Sequence, residues 1–187
     1  MKKNFLFKIL AISGISLAFT LSSCKSGQNG NEQPPKDTVS AQGGNLMQEG
    51  PAYDATKIDP NAAVTQITLK TLGNTMSEMK YDQTVLHVKA GTTVKLNLVN
   101  TAKDSSMQHN FLLIESGSAD QVATDGLKAG PENNYTPKTK NVLVATKLVG
   151  PGMKTEITFP APAKGTYDFI CTYPGHYKMM NGKFIVE

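Results

Sequence analysis

Near its C-terminus the chain reads CTYPGHYKMMNG, Cys171 to Gly182, which sets a thiol, an imidazole and two thioethers on one short loop. A second imidazole, His109 in SSMQHNF, stands where an apolar run begins, a rigid platform for a ring nitrogen. A cysteine alone reads as a small buried core residue. Thiolate, imidazole and thioether together form a soft metal-ligand set. Zinc takes cysteine and histidine but has little use for a thioether, whereas copper takes two histidines and a cysteine in a plane with a weak, long methionine. The ligand chemistry selects copper. Pro174 and Gly175 turn the chain between Cys171 and His176 so that both point inward, with Met180 at the far end of the turn and Met179 as the rival methionine.

Such a site passes single electrons, because nothing beside it supplies the paired carboxylates or other acid–base groups that a substrate reaction needs. A copper enzyme built around a second metal centre would need further histidines. The chain has three histidines, and His87, between Leu86 and Val88 in an alternating strand, faces solvent if those two face the core. An enzyme and a small-molecule substrate are therefore not expected. A storage or delivery protein for copper is the alternative function, and it would need an open or methionine-rich site.

Of the 187 residues, 39% are hydrophobic, 18% charged and 7% aromatic, the composition of one modest globular domain with additional length. The formal charge of +4 includes Lys2, Lys3 and Lys8. Without those three, 16 basic residues face 15 acidic ones, and there is no arginine. This near-neutral balance argues against a nucleic-acid partner, which selects clustered positive charge. The three lysines precede an apolar run from Ile9 to Leu21, shorter than the roughly 20 residues of a membrane span. Residues 1–23 thus read as a secretory signal. LSSC, Leu21 to Cys24, resembles the lipobox of bacterial lipoproteins and implies a lipid on Cys24. That places the protein in the cell envelope, on the periplasmic side, tethered to the inner or outer membrane. With Cys24 acylated, Cys171 has no disulfide partner in the chain. Residues 24–62, rich in Gly, Pro, Gln and Asn, read as the lipidated cysteine and a flexible tether.

From residue 63 to 187 the pattern changes to short alternating strands. VTQITLKTL, TVLHVKAGTTVKLNLVN, HNFLLIE, NVLVATKLV, MKTEITFPAP, GTYDFICTY and GKFIVE make seven or eight, separated by Gly, Pro and Asn. An all-β Greek-key sandwich is expected. SADQVATDGLKAGPENNY interrupts it with one short helix, for which Ser118 and Gln121 offer a capping box and Gly126 or Gly130 a stop.

Taken together, CTYPGHYKMMNG, MQHNF, VATDGL, ATKLVGPG and GTYDFICTYPGH resemble the azurins and auracyanins, blue (type 1) copper proteins of the cupredoxin family, from about Val64 to Glu187. The resemblance implies that His109, Cys171 and His176 form the copper plane, that Met180 is the axial ligand, and that the Gln108 carbonyl approaches from the opposite side, where azurin has a glycine. It implies that Asn110 ties the ligand loops together and that the N–H groups of Asn110 and Tyr173 donate to the Cys171 sulfur, Pro174 having none to give. It also implies an apolar docking patch around the exposed edge of His176, formed with Met76, Met107, Tyr173 and Pro174, for redox partners such as c-type cytochromes or a terminal reductase or oxidase. The disulfide of azurin is missing here, and Asn100 stands in place of an azurin histidine, so pH switching that depends on that histidine is not expected.

Overall fold

A computed structural model describes residues 52–187. The signal, Cys24 and residues 25–51 of the predicted tether lie outside the described residues. Among the described residues nine strands form two sheets: β1 (Val64–Leu72), β2 (Lys80–Tyr81), β4 (Thr93–Asn100) and β7 (Lys154–Pro160) in the order β2-β1-β4-β7, and β3 (Val85–Val88), β5 (Leu112–Ile114), β6 (Val142–Ala145), β8 (Gly165–Ile170) and β9 (Asn181–Val186) in the order β3-β9-β8-β5-β6. The sequence reading undercounts because TVLHVKAGTTVKLNLVN divides. Gly91, at φ 75°, breaks it, and the two halves join different sheets. The two-residue β2 is too short to leave a periodic signal.

The sheets pack face to face. Leu69, Leu96, Leu98 and Phe159 from one and Phe111, Phe169 and Phe184 beside the other share one buried cluster. In β4, Val94, Leu96 and Leu98 are fully buried and the residues between them half-buried, the period of a strand with one covered face. β5 is buried at all three positions because helix α1 (Ala119–Ala129) covers the outer face of its sheet, packing Val122 and Ala123 on Leu112, Ile114 and Ile170.

The helix ends at Gly130, at φ 75°, whose N–H donates to the Gly126 carbonyl. Gly126 lies inside the helix instead. A Cβ there would stand 2.6 Å from the Tyr135 carbonyl oxygen, so the helix approaches the following loop only without a side chain. The expected capping box does not form. The Ser118 hydroxyl donates to the Glu115 carbonyl, and the Gln121 amide turns to Asp125, where an i,i+4 partner is within reach.

The boundary at residue 62 moves toward the N-terminus. Tyr53 and Ala55 pack on the core, and the Tyr53 hydroxyl donates to the Pro160 carbonyl at 2.8 Å. Burial raises that phenol well above its ordinary value, so it stays a donor. Asp54 and Asp59 shape the segment by accepting from the N–H groups of Thr56 and Asn61. Composition marks a linker here, but one aromatic anchor and two aspartate turns are enough to dock it.

Candidate metal centre

The register of β5 against β8 assembles the centre. Leu112 pairs with Ile170, so the residues before β5 run alongside those after β8. Asn110 meets Thr172 there: its side-chain oxygen accepts from the Thr172 N–H at 2.9 Å and its amide donates to the Thr172 hydroxyl at 2.9 Å and the Asn134 carbonyl at 2.8 Å. Its backbone carbonyl accepts from the Tyr81 hydroxyl at 2.6 Å. One buried asparagine thus joins the segment that carries His109 to the loop that carries Cys171.

His109 is held by a two-way bridge to Val149, donating at 3.1 Å and accepting at 2.8 Å. The loop from Cys171 to Met180 closes on itself. The His176 N–H donates to the Tyr173 carbonyl, the Met180 N–H to the His176 carbonyl at 2.9 Å, and the Cys171 N–H to the Met180 carbonyl at 3.0 Å. Gly175, at φ 83°, makes the turn, and a Cβ on it would stand 3.0 Å from the Met76 methyl.

The result is a buried triangle. Nδ1 of His109 and Nδ1 of His176 are 3.2 Å apart and lie 3.9 and 3.8 Å from the Cys171 sulfur. Its centre is about 2.1 Å from all three atoms, the length of a first-row metal bond to imidazole or thiolate. His109 and Cys171 are 0% exposed and His176 1%, and the cluster contains no carboxylate. With both Nδ1 atoms turned inward, Nε2 of each ring is buried without a hydrogen-bond partner. Neither ring is oriented by a contact at its outer nitrogen, so the residues present fit a metal held between the inner ones.

Electrostatics agree with that fit. Burial lowers His109 to about 4, with the nearby His176 adding to the effect, and burial lowers His176 to about 4. Both rings are neutral at pH 7 and free to offer Nδ1 as a donor. Burial raises the Cys171 thiol to about 12 against the opposing pull of the Asn110 and Tyr173 N–H groups, which point at the sulfur. A cation would reverse that balance by stabilising the thiolate.

Met180 is fully buried in the core below the loop, whereas Met179 is half exposed. Gln108 is half-buried and its N–H donates to the Ser106 carbonyl at 3.0 Å. Two residues expected on the docking patch do not reach the surface. Met107 is 4% exposed and His176 1%, and the Tyr173 ring lies 4.7 Å from the His176 imidazole. Met76 is exposed beside Gly175, and Leu127 joins Tyr173 and Pro174 in lining a 170 Å³ cavity. Leu127 was readable as the apolar residue off the buried stripe of its helix. Tyr81, Asn134 and Thr172 had no local signal, being partners of Asn110 only through the fold. His87 is exposed, 3.7 Å from Glu187.

The sequence pattern of copper-binding proteins of the plastocyanin/azurin family matches residues 67–187. This chain belongs to that family. Among its relatives, auracyanin-A of Chloroflexus aurantiacus is 42% identical over 119 residues, covering 62% of this chain and 72% of the relative. Azurin iso-2 of a Methylomonas species is 34% identical over 124 residues, covering 64% of this chain and 96% of the relative. The solved structure of auracyanin A, a "blue" copper protein, superposes with a TM-score of 0.60 at 38% identity, covering 67% of this chain and all of that one. The metal of this family is copper, and the two-nitrogen, one-sulfur triangle is a donor set suited to it. Among the described residues, no helix is long and apolar enough to cross a membrane.

Proposed function

We propose that this protein is a one-electron carrier of the cell envelope, in which His109, Cys171 and His176 would hold copper, with Met180 as a weaker thioether ligand and the Gln108 carbonyl as a weak further one. The observation that carries the reading is the buried convergence of two imidazole nitrogens and one thiol sulfur. Copper, when bound, supplies a Cu(I)/Cu(II) couple. The chain supplies a cradle that holds its donors in place: Asn110 fixes the spacing of the two ligand segments, and the His109–Val149 bridge and the closed loop leave little room for donors to move. Small movement on redox change means a small reorganisation cost. The closed, carboxylate-free site suits electron exchange better than substrate turnover.

Electrons would leave through the surface nearest the rings, Met76, Tyr173, Pro174 and Leu127, docking transiently with a c-type cytochrome or a terminal reductase or oxidase. A lipid on Cys24 would hold the carrier at a periplasmic membrane face, stable anchoring needing more than one acyl chain.

Adding one equivalent of Cu(II) to the metal-free chain is expected to produce an intense thiolate-to-copper band and a narrow copper hyperfine splitting, followed by reversible reduction and reoxidation. A colourless complex, or copper that leaves on reduction, would favour storage or delivery. Replacing the axial thioether distinguishes the two methionines. Met180→Gln is expected to shift the reduction potential while keeping most of the colour, and Met179→Gln to leave both unchanged. The reverse result would exchange their roles.

A further inference from the structure

Asn100 closes β4 at the same end of the sandwich as His109 and is 1% exposed. Its Oδ1 accepts from the Ala102 N–H at 3.0 Å and the Thr71 hydroxyl at 3.1 Å. Its Nδ2 donates to the Met107 carbonyl at 2.7 Å and the Val149 carbonyl at 3.0 Å. An amide has two donor hydrogens and two accepting lone pairs, and all four are used. Turning the amide over would set its oxygen against two carbonyl oxygens, so the network dictates its orientation.

The two carbonyls it holds flank His109. Met107 lies two residues before the ligand. Val149 lies across the bridge, and its carbonyl also accepts from the His109 N–H at 3.1 Å. Both lone pairs of that one oxygen are therefore taken, one by the ligand's own backbone and one by Asn100. The loop before His109 and the strand beside it are tied to the same side chain.

We propose that Asn100 is the positioning residue of His109: by holding Met107 and Val149 it sets where the Gln108 carbonyl and the His109 imidazole stand relative to the Cys171 sulfur, and so tunes the potential of the centre. The electrochemical half rests on the copper reading; the positioning half is a property of the metal-free chain. Thr71, which touches only the oxygen of the amide, supports the network without holding the ligand segment.

The test compares Asn100→Leu with Thr71→Val in the full chain, reading amide hydrogen exchange without metal and the reduction potential with copper. Asn100→Leu removes both donors at similar volume. The His109 and Val149 amides should exchange about tenfold faster than the change in global stability accounts for, because the donors that hold their segment are gone, and the potential should shift. Thr71→Val should alter neither beyond its global effect. Should Asn100→Leu fail to fold, Asn100→Ser, too short to reach either carbonyl, serves in its place. Unchanged relative exchange at His109, or an equal effect from Thr71→Val, would overturn the proposal. A native chain that binds copper without colour would instead refute the electron-carrier reading and leave the exchange result untouched.

Discussion

Cys171→Ser is expected to abolish the intense visible band while leaving the fold intact. The hydroxyl is nearly isosteric with the thiol and can still accept the N–H groups of Asn110 and Tyr173 that point at position 171. It cannot supply a thiolate, which is what makes the copper transition intense and what binds the ion most firmly. A second readout separates loss of colour from loss of fold. At pH 7 both imidazoles are already neutral, held near 4, whereas the thiol sits near 12. Copper uptake by the native chain should then release about one proton, from Cys171 alone. Measured in weak buffer with a pH indicator, the serine variant should release none. Two or three protons from the native chain would mean that the histidines are charged before binding, and that their surroundings are wetter than the fold shows.

The metal-free protein is expected to lose stability steeply as the pH falls from 6.5 toward 4. In the unfolded chain a histidine takes up its proton near 6.5, but His109 and His176, buried at 0% and 1% exposure, resist it until about 4. Between those values the unfolded state binds protons that the folded state refuses. Folding free energy then falls by about 1.4 kcal/mol per pH unit for each such histidine. Above 6.5 neither ring contributes a pH dependence, and below 4 their effect is complete. Against a total of roughly 5–15 kcal/mol for a domain, two such groups bring the metal-free chain close to unfolding near pH 4. The exposed carboxylates Asp104 and Asp120 are held below the ordinary carboxylate range by their hydrogen bonds with Ser106 and Lys178, so their own contribution falls at lower pH. Denaturant midpoints measured at pH 7, 6, 5 and 4 would show the slope. His109→Asn should remove a large share of it, and copper, which binds the folded state, should shift the whole curve upward. A flat profile over this window would mean that the rings reach water in the folded state.

Much of the proposed centre was legible because its candidate donors announce themselves by type. Few reasons other than a metal bring Cys171, His176 and Met180 onto one loop, and the strand-forming run after His109 marked it as a fixed platform. Strand periodicity was equally plain where only one face is covered, as in β4. Legibility failed where the decisive partner is distant. Asn110 reads as a ligand-loop clasp only by resemblance, and its attachment to Tyr81 and Asn134 exists only in the folded chain. The Ser118–Gln121 capping box was a sound local pattern that lost to nearer partners at Glu115 and Asp125. Tyr53, alone in a linker-like stretch, gave no sign that a carbonyl at Pro160 would receive it.

From the sequence by itself came the donor set, the preference for copper, the two-sheet class, and the lipid-anchor expectation for Cys24. These depend on residue type and short spacing, which the chain carries locally. The tertiary structure alone decided the 3.2 Å approach of two histidines 67 residues apart, the burial of His176 and Met107 beneath the expected patch, and the fourfold bonding of Asn100. Register between β5 and β8 and the crossing of strands from sheet to sheet set those distances, and register is a property of paired strands that neither strand specifies alone.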